Sequence, residues 1–326
     1  MKFKHLFLFF IIAGSAAIIY SSCNQSNPAQ NNTAGTKIDS VWHAPDSGSW
    51  ASEPNFKLIE FGQMLVVNTA EYLGPNGSIE NSSNGMNCDN CHQQAGTKTF
   101  GNNFGAVAAT YPTFRPRSGK IENIYQRINE CMQRSLNGQA LDTDKLPIMA
   151  MAAYIMWVGK KVPKGKIPRG AGAGELAYID RAADTSKGEA IYTQKCSVCH
   201  GINGAGLANT NGTGYQYPPL WGKHSYNTGA SMSRIGKLAT YIRNNMPFGV
   251  TYNTPQLKDE EAWDVAAFID SKPRPIFNDR ADWPDLKNKP IDYPTGPYAD
   301  EFSQQQHKYG PYKSIIEAKK QQNKKA

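Results

Sequence analysis

Long apolar runs are what this 326-residue chain has least of. Past the first twenty or so residues no stretch is long and apolar enough to span a bilayer, which excludes a multispanning membrane protein. Hydrophobic residues make up only 40% of the chain, a low share for a sizeable core. Cysteine and histidine are scarce, with six of each. Basic residues outnumber acidic ones, 35 to 27, for a formal charge of +8. No run alternates basic and aromatic residues, so a nucleic-acid surface is not expected. The tail Lys319-Lys320 and Lys324-Lys325 holds part of the excess and reads as a solvated end. The remaining balance suits an anionic substrate or an acidic redox partner.

Four of the six cysteines fall into one repeated pattern. Cys88-Asp89-Asn90-Cys91-His92 recurs as Cys196-Ser197-Val198-Cys199-His200. Two cysteines separated by two residues, with histidine directly after, is the c-type haem attachment pattern. Each sulfur adds to one haem vinyl group, and the histidine supplies one axial nitrogen to the iron. A single four-thiolate zinc site needs no histidine after each pair, and these pairs lie over 100 residues apart. A thioredoxin-like redox pair does not account for two copies, each followed by histidine. The chain is therefore expected to carry two covalently bound c-type haems, whose apolar volume offsets the modest apolar content of the protein.

The N-terminus reads as a targeting segment. Lys2 and Lys4 form its positive region, and Leu6 to Tyr20 its apolar run. Ser21-Ser22-Cys23 then resembles a bacterial lipoprotein signal, with Cys23 as the acylated first mature residue. An ordinary secretory signal or an uncleaved anchor is the alternative. Haem attachment outside the cytoplasm agrees with export. The expected location is the periplasmic face of a bacterial membrane, lipid-anchored, or else the soluble periplasm. After Cys23 and the two haem motifs, Cys131 alone is left over.

The chain divides accordingly into a signal (1–22), a polar tether (23–40), a first cytochrome c domain (41–160), a linker (161–175), a second cytochrome c domain (176–272) and an extension (273–326). In the first domain a helix is predicted from Pro54 to Thr69, stopped by Gly74-Pro75-Asn76-Gly77. A loop over Phe100 to Gly119 follows the haem motif. Helices are predicted over Ile121 to Leu136 and from Asp142–Lys145 to Val158, the latter burying Met149, Ala153, Met156 and Trp157. The second domain repeats the plan. Its helices are Ser186 to Cys199, with a capping box from Ser186 and Glu189, then Met232 to Asn245 and Lys258 to Asp270. The fold class is all-α, two cytochrome c-type domains in tandem. The extension is expected to wrap irregularly across both and to lose order beyond about Ile316.

The residue opposite each histidine decides what each haem does. For haem 2, Met246 lies just before Pro247 and past a helix; its thioether would complement His200 and suits electron transfer. His224 and Met232 compete for the position. The first domain has no matching Met-Pro pair. It has Cys131 instead, and Arg127, Cys131 and Ser135, spaced i, i+4 and i+8, share one helix face with Arg134 close by. Neighbouring guanidinium groups favour a thiolate that ligates iron or reacts. Met132 and Met149 are the alternatives.

Arg-Ile-Asn-x-Cys-x-x-Arg-Ser-x-Asn-Gly, at Arg127 to Gly138, closely resembles the dihaem thiosulfate dehydrogenases and is similar, less closely, to the His/Cys-ligated haem subunit of the Sox system. The resemblance spans about Pro54 to Pro311. It implies that haem 1, bound by His92 and Cys131, is the active site, and that haem 2, with His200 and Met246, relays electrons to an external acceptor such as a cytochrome c. It implies thiosulfate and tetrathionate as the reacting pair, in either direction. Arg127 and Ser135 match anion-binding positions of the family. Arg117 stands where a further family arginine is expected, with Arg115 a near alternative. Arg134 joins Arg117 and Arg127 as a group able to offset the repulsion of two dianions. Some members place a lysine directly before the methionine; here Asn245 stands there. A non-catalytic electron carrier and a Sox-like component are the other functional classes.

Overall fold

Each domain is built on two helices that cross at a glycine. In the first domain α1 (Phe56–Val67) packs on its partner across the crossing at Gly62. A Cβ at Gly62 would lie 2.0 Å from the backbone oxygen of Ala150. Helix α2 (Ile124–Arg134) starts at a capping box, Asn123 and Gln126 each bonding the other's backbone N–H. Helix α3 (Leu146–Val158) contains Ala150 and is apolar on almost every face; Ile148, Met151, Tyr154 and Trp157 are buried. In the second domain α4 (Thr185–Lys195) and α6 (Asp259–Ser271) cross in the same way, and a Cβ at Gly188 would lie 1.9 Å from the Asp264 backbone oxygen. Helix α5 (Ile235–Asn245) packs against α6. The two halves are thus one plan used twice, as the repeated motifs imply.

The computed structural model describes residues 36–325. The predicted signal, Cys23 and most of the tether lie outside the described residues. No helix among the described residues is long and apolar enough to cross a membrane.

Several boundaries differ from the sequence reading. The end of the expected tether is the strand β1 (Thr36–Val41), paired in parallel with β4 (Lys166–Arg169), so the expected linker is tied down by a ladder. Ile121 is not helical. It lies in β3 (Lys120–Glu122), which forms a hairpin with β2 (Thr113–Arg115). Met149 is 40% exposed rather than buried. The cap of α4 is Asp184, whose carboxylate accepts from the N–H groups of Ser186 and Lys187, in place of the Ser186–Glu189 box.

The extension is more ordered than its composition suggests. It ends in α7 (Lys313–Lys325), which continues well past Ile316 because Tyr312 and Ile315 are buried in the second core. Earlier in the extension, Asp282 pairs with Arg134 of the first domain, and Asp292 pairs with Arg234 of the second. The described residues form one unit.

The glycine crossings give a direct test. Gly62→Ala and Gly188→Ala each force backbone apart, and each should lower unfolding free energy by roughly 1–3 kcal/mol, read from denaturant melts.

Candidate functional site

The first haem motif is held by its neighbours before any cofactor is considered. The end of α1 is followed by a short helix, Thr69–Leu73. Thr69 Oγ1 accepts from the Cys88 N–H at 3.0 Å, and Asn87 Oδ1 accepts from the Ala70 N–H at 2.8 Å. Asn87 and Asn90 close a reciprocal cap around Cys88–Asn90. Burial pushes the thiols of Cys88 and Cys91 up to about 11 and about 12, with nearby Cys131 adding to both shifts. The three sulfurs therefore share one neighbourhood.

His92 faces the Asn102 carbonyl through Nδ1. A carbonyl only accepts, so Nδ1 carries the hydrogen and Nε2 keeps its lone pair. Burial lowers the imidazole pKa to about 4, which keeps the ring neutral. In the second domain His200 Nδ1 is 2.9 Å from the Pro218 carbonyl, and burial again favours the neutral ring. A neutral imidazole fixed by a carbonyl on one nitrogen and open on the other is the form that ligates a metal. Both motifs thus fit covalently attached haem. Among the described residues no three His, Cys, Asp or Glu side chains form a cation cage, so the cysteine pairs do not build one zinc site.

Helix α2 presents Cys131, half-buried, with Arg127 one turn before it. The Arg127 guanidinium is held charged above all by the Cys131 sulfur, with help from Tyr111 and Glu130. Ser135 caps the helix, its N–H bonded to the Cys131 carbonyl at 2.9 Å. The methionine alternatives are engaged elsewhere: Met132 is 1% exposed within the first core, and Met149 faces solvent. In the second domain Met246 caps α5 and packs against the second core. Met232 packs against both cores, and His224 is exposed, its carbonyl accepting from Asn84.

The arginines are not equivalent. Arg127 bonds Glu130 at 3.0 Å. Arg115 lies 3.7 Å from both Glu122 and Glu130. Arg134 is bound bidentately by Asp282, at 2.7 and 2.8 Å, and stacks on Phe277. Its fork is thus committed to the extension and is not open for an anion. Arg117 is only 6% exposed and has no carboxylate within ion-pair distance among the described residues. Its polar contact is the Gly229 carbonyl at 3.3 Å, and the Trp283 ring lies 5.7 Å away.

Sequence reasoning missed Glu130. Burial pushes its carboxyl up, but Arg127, Arg117, Arg115 and Arg134 together outweigh this and hold it below the usual carboxylate range. Its signal was available: several arginines sharing a helix face require a counter-charge when buried. Asp282 and Trp283 were missed because they lie some 150 residues along the chain from α2, and nothing local marks them.

Residues 185–273 match the family described as cytochrome c, and residues 78–163 match the SoxA/TsdA cytochrome c domain. The chain is 40% identical over 200 residues to a thiosulfate dehydrogenase of Allochromatium vinosum, covering 60% of this chain and 72% of that one. It is 38% identical over 207 residues to that of Psychrobacter arcticus, covering 63% of this chain and 61% of that one. It is 34% identical over 237 residues to that of Stutzerimonas stutzeri, covering 73% and 74%. Among solved structures it is similar to the thiosulfate dehydrogenase TsdBA of Marichromatium purpuratum in its as-isolated form, at 29% identity and a TM-score of 0.64. That match covers 72% of this chain but only 50% of the solved one.

The Arg134–Asp282 pair is open to test. Asp282→Ala leaves a buried guanidinium unpaired and should cost about 3–5 kcal/mol in a denaturant melt, whereas exchanging both partners for apolar residues should cost far less.

Proposed function

The chain belongs to the thiosulfate dehydrogenases, and from that premise we propose that it joins two thiosulfates into tetrathionate at the site of His92 and Cys131, passing the electrons outward past His200 and Met246. The observation that carries this reading is the pairing of Cys131 with Arg127 in the same neighbourhood as Cys88 and Cys91. Cys131, a free cysteine among the described residues, stands beside a guanidinium at the first haem motif. Each haem, when bound, supplies a one-electron acceptor, so the pair matches the two electrons that one S–S bond releases.

The side chains do the rest. Arg127 and Arg117 hold the dianions with charge-assisted hydrogen bonds and offset their mutual repulsion. Ser135 adds a hydroxyl at the end of the same helix face. Glu130 and Asp282 hold the guanidinium groups in place, with Arg134 acting as an anchor for the extension. Cys131 Sγ forms an S–S bond with the sulfane sulfur of the first thiosulfate, and two electrons leave as it forms. The sulfane sulfur of the second thiosulfate then attacks that of the first. Tetrathionate departs, and the Cys131 thiolate is the leaving group. His92 keeps its Nδ1 hydrogen on Asn102 throughout. Cys131 and Met246 would hold the two haems as a thiolate and a thioether, and since a thioether raises a haem potential this pairing would favour electron flow from the first haem to the second. The same residues serve tetrathionate reduction when electrons are supplied. An external cytochrome c is the proposed acceptor.

We also place the protein outside the cytoplasm, held at a membrane through an acyl group on Cys23. Cys23→Ser should then move the protein from the membrane to the soluble fraction and abolish labelling by a fatty acid; continued membrane association would refute the anchor.

Purified dihaem protein should reduce cytochrome c with thiosulfate and yield tetrathionate. Cys131→Gly should lower that rate at least about 10³-fold, the scale of losing a nucleophile that works as a unit with its neighbours. Mass spectrometry after incubation with thiosulfate should find a thiosulfate adduct on the Cys131 peptide. An active wild type without that adduct would remove the covalent step, and an active Cys131→Gly variant would remove the site.

A further inference from the structure

One residue of the contact between the two domains, a tyrosine, reaches directly to the first haem motif. Tyr241 lies on α5 of the second domain and is 6% exposed. Its hydroxyl accepts from Gln93 Nε2 at 2.9 Å and donates to the Asn90 carbonyl at 3.3 Å. Asn90 and Gln93 bracket Cys91 and His92, the attachment cysteine and the iron ligand of the first haem motif. Both hydrogen-bonding capacities of the phenol are therefore spent on the backbone and side chain next to that motif. On its own side, Tyr241 is five residues before Met246, and its carbonyl accepts from Asn245 Nδ2 at 3.1 Å.

The surroundings hold this junction still. Asn245 is fully buried and bonds the Phe100 carbonyl at 3.0 Å through the same amide nitrogen. Gln93 Oε1 accepts from Lys98 at 2.7 Å, and the same ammonium reaches the Val250 carbonyl at 3.2 Å. Asn244 donates to the Ala173 carbonyl at 3.0 Å. Tyr241 and Asn245, one turn apart on α5, are both tied to backbone carbonyls that flank His92 in the chain, those of Asn90 and Phe100. A phenol alone in an interface needs only one partner to satisfy its hydroxyl. This one uses two, both beside the first haem motif, and the ring that carries them is packed out of water.

We propose that Tyr241 is the bridge between the two haem sites, a positioning residue whose hydrogen bonds to Asn90 and Gln93 set the spacing and the electronic contact across which each electron passes from the first haem to the second. The inference rests on the two-haem relay proposed above. One electron crosses at a time, the first haem being oxidised and the second reduced, with no proton transferred. The tyrosine is not itself oxidised. Its hydroxyl completes a chain of covalent and hydrogen bonds from the Cys91–Asn90 backbone into α5.

Tyr241→Phe in the full dihaem protein tests this. The ring and its packing are kept, and only the two hydrogen bonds go. An electron injected by pulse radiolysis, with no sulfur substrate present, reads the haem-to-haem rate directly. That rate should fall several-fold, while the potentials, the ligand spectra of both haems and the melting temperature stay close to wild type. Gln93→Glu alone, which keeps Tyr241 and offers its hydroxyl a carboxylate oxygen in place of the amide donor, should slow the rate less than Tyr241→Phe does. In the thiosulfate assay kcat should fall with KM unchanged. A wild-type transfer rate would overturn the proposal. So would a slowed rate that follows an altered potential or ligand spectrum, since Tyr241 would then act on the haem pockets rather than between them. Because the injected electron needs no thiosulfate, loss of the thiosulfate assay alone would count against the substrate reading and not against the bridge.

Discussion

Everything in either domain depends on two helices meeting backbone to backbone. At Gly62 and Gly188 there is no room for a single carbon atom. That closeness aims the chemistry. The end of α1 delivers Thr69 to the Cys88 N–H, and α3, pressed against it, delivers the Tyr154 hydroxyl to the Ala95 carbonyl beside the His92 loop at 2.8 Å. The second domain repeats the arrangement with different residues. Tyr192, on α4, reaches the Gly201 carbonyl directly after His200 at 2.6 Å. A side chain at either crossing would move the helix and, with it, the groups that orient the histidine. A chain with modest apolar content can hold such a crossing because backbone contact uses little side-chain volume.

The two domains touch directly, with Met232 packed against both cores, and the extension adds a carboxylate onto each of them. Asp282 goes to the first domain and Asp292 to the second, each onto an arginine. Buried ion pairs contribute little net stability compared with apolar packing, but breaking one is expensive. They therefore serve here to fix relative placement. Trp283, next to Asp282, donates its backbone N–H to the Arg117 carbonyl at 2.6 Å, so the same stretch that ties down Arg134 also closes over Arg117.

The two haem motifs, the helix order and the odd cysteine were legible because each rests on local pattern: a five-residue motif, a 3.6-residue period, a spacing of four. What sequence could not supply was non-local. The pairing of β1 with β4 joins residues about 130 apart, and neither strand is apolar enough to announce itself. Helix α7 looks like a solvated lysine-rich tail, and only its burial of Ile315 in the second core makes it a helix worth keeping. Arg134 shows the same limit at the site. Its place on the helix face was readable from spacing, but its partner Asp282, which decides what that place means, was not.

Net charge was the least informative number, and Arg117 shows why. Three of the four arginines near Cys131 face carboxylates: Arg115 and Arg127 share Glu130, and Arg134 has Asp282. Their charges are largely cancelled before any substrate arrives. Arg117 is buried, among the described residues its side chain meets a carbonyl and an indole ring, and burial followed by repulsion from Arg134 lowers its pKa. Glu130 is its nearest counter-charge in effect but makes no ion pair with it, and a buried cation so weakly balanced raises the free energy of the site. On the proposed reading a bound dianion removes that cost, so the affinity of the site comes less from how many arginines it holds than from the one that makes no ion pair among the described residues. The same reasoning limits affinity for monoanions, which would cancel less of the field that Arg127 and Arg117 set up together.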